Sequence, residues 1–164
     1  MKKLLLVRHA KSSWDDFSIK DFDRPLNDRG KKDAPEMARR LLKKDIQIDA
    51  FVSSPAKRAR KTAELFSKEY DQKKDHIIFI DELYLAAPPV FEQVIKDLDD
   101  KFDTIALFSH NEGITEFANR LTDVKTDNIP TCGIFAVKIN TRHWKQFNAA
   151  QKEFWFFDYP KAHD

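Results

Sequence analysis

Arg8 and His9 stand directly after an unbroken apolar run, Leu4-Leu5-Leu6-Val7. Such a run reads as a strand buried on both faces. Its end is a costly place for a guanidinium and an imidazole, and a plain core has no use for either. In open α/β sheets, ligands bind just outside the carboxyl ends of the strands. His110 repeats the pattern, following Thr104-Ile105-Ala106-Leu107-Phe108 by way of Ser109. Arg58 lies in the helix that follows a further strand, Asp49 to Ser53. Two arginines and two imidazoles at one sheet end describe an anion site. The guanidinium fork donates two hydrogen bonds at once, and an unprotonated imidazole is a nucleophile.

Those side chains need elements to hold them. After the first strand, residues 11–27 read as a polar loop holding Trp14, Phe17 and Phe22. Asn27 is a reasonable cap for an amphipathic helix over roughly residues 28–44, whose apolar positions are Ala34, Met37, Ala38, Leu41 and Leu42. Pro35 is expected to kink that helix or to move its start to Ala34. Ser54-Pro55 predicts the next helix start, with Ser54 as the cap. Four cations, Lys57, Arg58, Arg60 and Lys61, fall in its first two turns, where they oppose the helix dipole and favour an anion. A solvated face suits Lys57, Arg60 and Lys61.

A third strand is expected at His76–Ile80, then a helix over roughly 89–98, a strand at 104–108 and a helix from Glu112 onward. This alternation argues for a three-layer α/β/α sandwich, a mostly parallel sheet with helices on both faces. Cys132–Ile139 reads as a strand; Trp144–Phe147 and Glu153–Phe157 read as shorter strands or hairpin arms. The aromatic tail Phe154-Trp155-Phe156-Phe157 is expected to pack as an edge strand, with an exposed contact patch as the other option.

The whole chain narrows the function classes. Its 164 residues suit a single domain spanning 1–164. A net charge of +2 gives no bulk electrostatic reason to expect nucleic acid. One cysteine, Cys132, forms no intrachain disulfide and no zinc spacing. No apolar run is long enough for a membrane span or a signal peptide, so the expected location is cytoplasmic. With three glycines there is no glycine-rich phosphate loop, and side chains must hold any phosphate. No His and carboxylate cluster has metal-ligand spacing, so neither metal nor cofactor is expected. His76, His143 and His163 have no strand-end context and read as incidental.

Leu6-Val7-Arg8-His9-Ala10-Lys11-Ser12-Ser13-Trp14 resembles the opening motif of the histidine phosphatase superfamily, and more closely its small SixA-type phosphohistidine phosphatase branch. Asp23-Arg24-Pro25-Leu26-Asn27-Asp28-Arg29-Gly30 is similar to that branch's next segment, and Ser53 to Ala63 to the segment with the second catalytic arginine, here Arg58. Ser109-His110-Asn111 is similar to the segment with the second histidine. Ser109 and Glu112 depart from the Gly and Pro often found there, and Glu112 adds negative charge near an anion site.

The resemblance implies a phosphoglycerate mutase-like fold and a metal-independent phosphatase. It implies that neutral His9 attacks phosphorus while Arg8, Arg58 and a protonated His110 surround the oxygens. Glu82, with Asp81 next, is the candidate general acid, because both follow the third strand. Without a firm acid, phosphohistidine on a protein is the expected substrate, since an imidazole leaves phosphorus more easily than an alkoxide. The alternatives are a small-molecule phosphomonoesterase or mutase-like enzyme, and a non-catalytic phosphate-binding or interaction module.

Overall fold

A computed structural model describes residues 1–162. Among them, six strands form one sheet in the order β3-β2-β4-β1-β5-β6. The strands are β1 (Lys2–Arg8), β2 (Ala50–Ser53), β3 (Ile78–Phe79), β4 (Thr104–Ser109), β5 (Ile134–Ile139) and β6 (Lys152–Asp158). β3, β2, β4 and β1 run parallel; β5 and β6 complete the far edge antiparallel. The sheet is thus mostly parallel, as the βα alternation predicts.

Side chains along β1 alternate between two cores. Leu4 and Leu6 join Phe91, Ile95, Phe117 and Trp144 on one face. Leu5 and Val7 join Met37, Leu41, Phe66 and Phe108 on the other. Helices α1 (Asp28–Lys43) and α2 (Lys57–Glu69) cover the second face, and α3 (Pro88–Lys96) and α4 (Gly113–Ala118) cover the first. Both faces of β1 are apolar because both are covered.

α1 is capped by Asn27, whose side chain accepts from the Gly30 amide at 2.9 Å. It passes through Pro35 and does not restart at Ala34. The carbonyl that loses its partner to the proline ring is that of exposed Lys31, which water can serve. α2 starts later than Ser54-Pro55 predicts, with Ala56 at the cap and no side-chain cap bond. Ser54 is fully buried and is used elsewhere.

β3 shrinks to two residues, and His76 falls in a 3-10 turn before it. Trp144 begins a 3-10 turn, Trp144–Gln146, where a strand was expected; its indole N–H donates to the Phe102 carbonyl at 2.8 Å. The aromatic tail forms edge strand β6, with Phe154 to Phe157 half-buried. No helix among the described residues is long and apolar enough to cross a membrane.

The parallel register of β1 and β4 pairs Arg8 with Ser109, so both strands end at one level. α4 begins against the chain that precedes α3, where a Cβ on Gly113 would overlap the Ala86 carbonyl oxygen. Backbone there has nowhere to move. Gly113→Ala is expected to cost about 2–3 kcal/mol, read as a lower Tm and a lower urea midpoint.

Candidate active site

β1 and β4 deliver Arg8-His9 and Ser109-His110 side by side. The His9 amide donates to the Ser109 carbonyl at 3.1 Å, and the two imidazole centroids lie 5.3 Å apart. β2, next to β4, leads into α2 and Arg58. Thr62 of α2 ties this corner together: its hydroxyl accepts the Ala10 amide at 2.9 Å and donates to the Arg58 carbonyl at 2.7 Å. Arg8, His9, Arg58 and His110 all line one pocket of about 350 Å³. Lys57, Arg60 and Lys61 are exposed, whereas Arg58 is only 2% exposed.

The tautomer of His9 follows from its neighbours. Nδ1 lies 2.7 Å from the Ala10 carbonyl oxygen, which can only accept, so Nδ1 carries the proton. Nε2 therefore presents a lone pair, and Arg58 Nε donates toward it at 3.3 Å. Burial lowers the His9 pKa to about 3, and the nearby Arg58, Arg8 and Arg24 charges add to this against the pull of the Ala10 carbonyl. At neutral pH the ring is uncharged and nucleophilic.

His110 is also neutral, with its pKa lowered to about 2 by burial and then by His9 and Arg58. The expected protonated His110 belongs to the phosphate-bound site, where a dianion beside the ring would favour its charged form. Ser54, expected as a helix cap, lies 2.8 Å from His110 Nε2 and accepts the Ala56 amide at 3.3 Å. With the second Ser54 lone pair left free, the hydroxyl can donate to Nε2, the arrangement that leaves the His110 proton on Nδ1. His110 Nδ1, Arg8 Nε and Arg24 Nε are the buried side-chain donors without a hydrogen bond among the described residues. All three belong to residues lining this pocket. Three orphaned donors around one cavity call for an acceptor.

The loop of residues 11–27 supplies what the sequence reading missed. Asp21, in a 3-10 turn (Asp21–Asp23), accepts from Arg58 Nη2 at 3.0 Å, and its backbone carbonyl accepts from Arg58 Nη1 at 2.7 Å. Arg24 Nη2 donates to the same carboxylate at 3.1 Å, and Tyr84 O–H at 2.5 Å. Partial burial opposes ionisation, but hydrogen bonds from Tyr84, Arg24 and Arg58 outweigh it and hold Asp21 well below the usual carboxylate range. Arg24 also donates to Ser12 and stacks on Trp14, 3.7 Å from the ring centroid. Arg24 stood in a motif segment without an assigned role; Asp21 and Tyr84 carried no local signal.

Glu82 does not join the pocket. It and Asp81 are exposed on a 3-10 turn (Asp81–Leu83), and Glu82 borders a separate apolar groove with Ile78, Val90 and Leu98. The turn is anchored inward by Leu83, which is fully buried and whose carbonyl accepts the Ser109 hydroxyl at 2.8 Å. Both acids consequently face outward. Glu112 is exposed and is not a lining residue, while Asn111 is one. His143 is exposed and pairs with Asp100 at 2.9 Å. His76 is exposed, and His163 lies outside the described residues.

Two variants test this arrangement. Ser54→Ala should turn His110 from a single Nδ1–H form into a tautomer mixture, read from ¹⁵N imidazole shifts. The same variant should weaken inorganic phosphate binding about tenfold, the worth of one hydrogen bond. Asp21→Asn should cost about 1 kcal/mol at pH 7, a screened value because Asp21 is half-exposed. A depressed carboxyl pKa contributes fully above about pH 4 and is lost as pH falls further. Melting curves of the two proteins should therefore converge in strong acid.

Comparison with known proteins agrees with this geometry. The sequence model of the histidine phosphatase superfamily (branch 1) matches residues 4–85, which include Arg8, His9 and Arg58. Phosphoserine phosphatase 1 of Hydrogenobacter thermophilus is 30% identical over 154 residues, covering 89% of this chain and 68% of its own. The putative phosphohistidine phosphatase SixA of Agrobacterium tumefaciens superposes with a TM-score of 0.82 at 23% identity, over 97% of this chain and 98% of that one. A protein histidine phosphatase SixA complexed with tungstate gives 0.81 at 18% identity, over 96% and 97%. A family model matching half of the sequence and a relative 30% identical lead to one conclusion: the chain belongs to the histidine phosphatase superfamily.

Proposed function

We propose that the protein is a metal-independent phosphatase that passes a phosphoryl group through Nε2 of His9, with protein phosphohistidine as its preferred substrate. The observation that carries this reading is the fixed tautomer of His9, a buried neutral ring with its lone pair beside Arg58. The Nε2 lone pair attacks phosphorus, and the bond from phosphorus to the substrate nitrogen breaks, its electrons returning to the leaving imidazole. Water then attacks the phosphorus on His9, the second phosphorus–nitrogen bond breaks to restore the lone pair, and the water's protons leave with the inorganic phosphate. Arg8, Arg58 and the Nδ1–H of His110 stabilise the equatorial oxygens, where charge spreads in the transition state.

The choice of leaving group rests on proton supply. Asp21 is the one carboxylate among the described residues that line the pocket, and it is ionised. It has no proton to give an alkoxide. Phosphohistidine needs no such donor: its far ring nitrogen takes a proton from solvent near an imidazole's ordinary pKa of about 6.5, and the ring then leaves as neutral imidazole. The likeness in fold to SixA phosphatases supports the same substrate class. The likeness to phosphoserine phosphatase 1 supports a second reading, a small-molecule phosphomonoesterase. A binding module without catalysis predicts phosphate affinity and no phosphoenzyme.

Rapid quench with labelled phosphohistidine protein should trap acid-labile phosphate on His9. His9→Ala should remove the label and lower kcat/KM more than about 10³-fold, as loss of a nucleophile does. Turnover should survive a chelator and should favour phosphohistidine over phosphoserine. The opposite preference would select the small-molecule reading, and the lack of any phosphoenzyme would reject catalysis through His9.

A further inference from the structure

Exposed apolar side chains concentrate in two short stretches of the chain. Eight large ones are exposed among the described residues, and five of them, Trp14, Phe17, Ile19, Phe22 and Leu85, sit on two short segments. Those segments border the pocket. Trp14 and Leu85 line its mouth, and Phe22 packs edge-on against Tyr84 at 5.1 Å. Phe17 and Ile19 lie on the chain between Trp14 and Asp21. Phe17 is 88% exposed and lines no part of the pocket. Single exposed apolar residues are ordinary, but a cluster around a functional pocket marks an interaction surface.

Leu85 adds an independent observation. Its φ is +52°, the left-handed region that a residue with a Cβ enters at a cost. Burial does not repay that cost, because Leu85 is 56% exposed. The conformation holds an isobutyl group at the pocket mouth, where it gains contacts only when something covers it.

We infer that Phe17, Ile19 and Leu85 form a docking rim for a folded protein that presents phosphohistidine on a surface ringed by apolar side chains. This rests on the phosphohistidine reading above and names the residues that would recognise the carrier. Continuity with the pocket identifies the occupant. Whatever covers the rim must also place a phosphoryl group beside His9. A small ester filling about 350 Å³ does not extend to Phe17; a protein surface spans both. Aromatic anchors beside a polar centre are a usual composition for such contacts.

The test compares the full chain with Phe17→Ala and Ile19→Ala on two substrates. One is an isolated phosphotransfer domain phosphorylated on histidine; the other is free phosphohistidine. The expected result is a loss of about tenfold or more in kcat/KM on the phosphoprotein, carried by KM, with free phosphohistidine turned over as before. Leu85→Gly should also raise KM for the phosphoprotein while its Tm holds or rises, because glycine relieves the left-handed backbone. Unchanged KM for the phosphoprotein, or equal losses on both substrates, would overturn the docking rim. So would a wild-type dimer in sedimentation that Phe17→Ala dissociates, since a second copy would then cover these residues. Should the wild type cleave free phosphohistidine and leave the phosphoprotein intact, the protein-substrate reading itself falls. That outcome is distinct from a rim that fails on a competent enzyme.

Discussion

The hydrogen bond from His9 Nδ1 to the Ala10 carbonyl decides what this pocket can do. It links a side chain to the carbonyl of the very next residue, so it needs no distant element to form. It fixes the ring plane and the proton at once and leaves Nε2 unprotonated. Every other group at the site acts on that nitrogen or on what that nitrogen would attack. Arg58 donates toward it, while the β1–β4 register places His110 beside it. Thr62 prevents α2 from drifting away from the strand end, because its hydroxyl is shared between the two.

A pocket built this way has an electrostatic difficulty. Arg8, Arg24 and Arg58 all depress the His9 pKa, and like charges so close repel one another. Asp21 is the compensation. It pairs with Arg24 and Arg58 and leaves Arg8 Nε and Arg24 Nε without partners. The guanidinium of Arg58 is thereby oriented with Nε toward His9 and both terminal nitrogens toward Asp21. The two imidazoles contribute by being neutral: burial keeps protons off them, so they add no charge until an anion enters.

Much of this was legible in the sequence, for a physical reason. Long apolar runs are unambiguous, and β1 and β4 each end one residue past Leu4–Val7 and Ile105–Phe108. Polar residues placed just past such runs stand out, which is why Arg8, His9 and His110 could be read directly. Ser54 was misread because serine before proline is an ordinary helix start; only tertiary packing shows that its hydroxyl serves His110. Glu82 was misread because position after a strand says nothing about which way a turn is anchored, and Leu83 turns it outward. Asp21 was invisible because it reaches Arg58 across 37 residues from a loop with no periodicity.

The loop of residues 11–27 therefore carries the freedom that the sheet lacks. It has little regular structure, an isolated bridge between Ser12 and Leu26 and one 3-10 turn. Side chains hold it instead: Arg24 on Trp14 and Ser12, and Asp21 on Arg58 and Tyr84. The same segment that balances the charge of the pocket also presents Phe17 and Ile19 to solvent. The strand ends at the pocket are made rigid by the cores, while the outer face of this loop is constrained by no core. On the proposed reading, substitutions on that face would alter which phosphorylated surface fits without moving His9 at all.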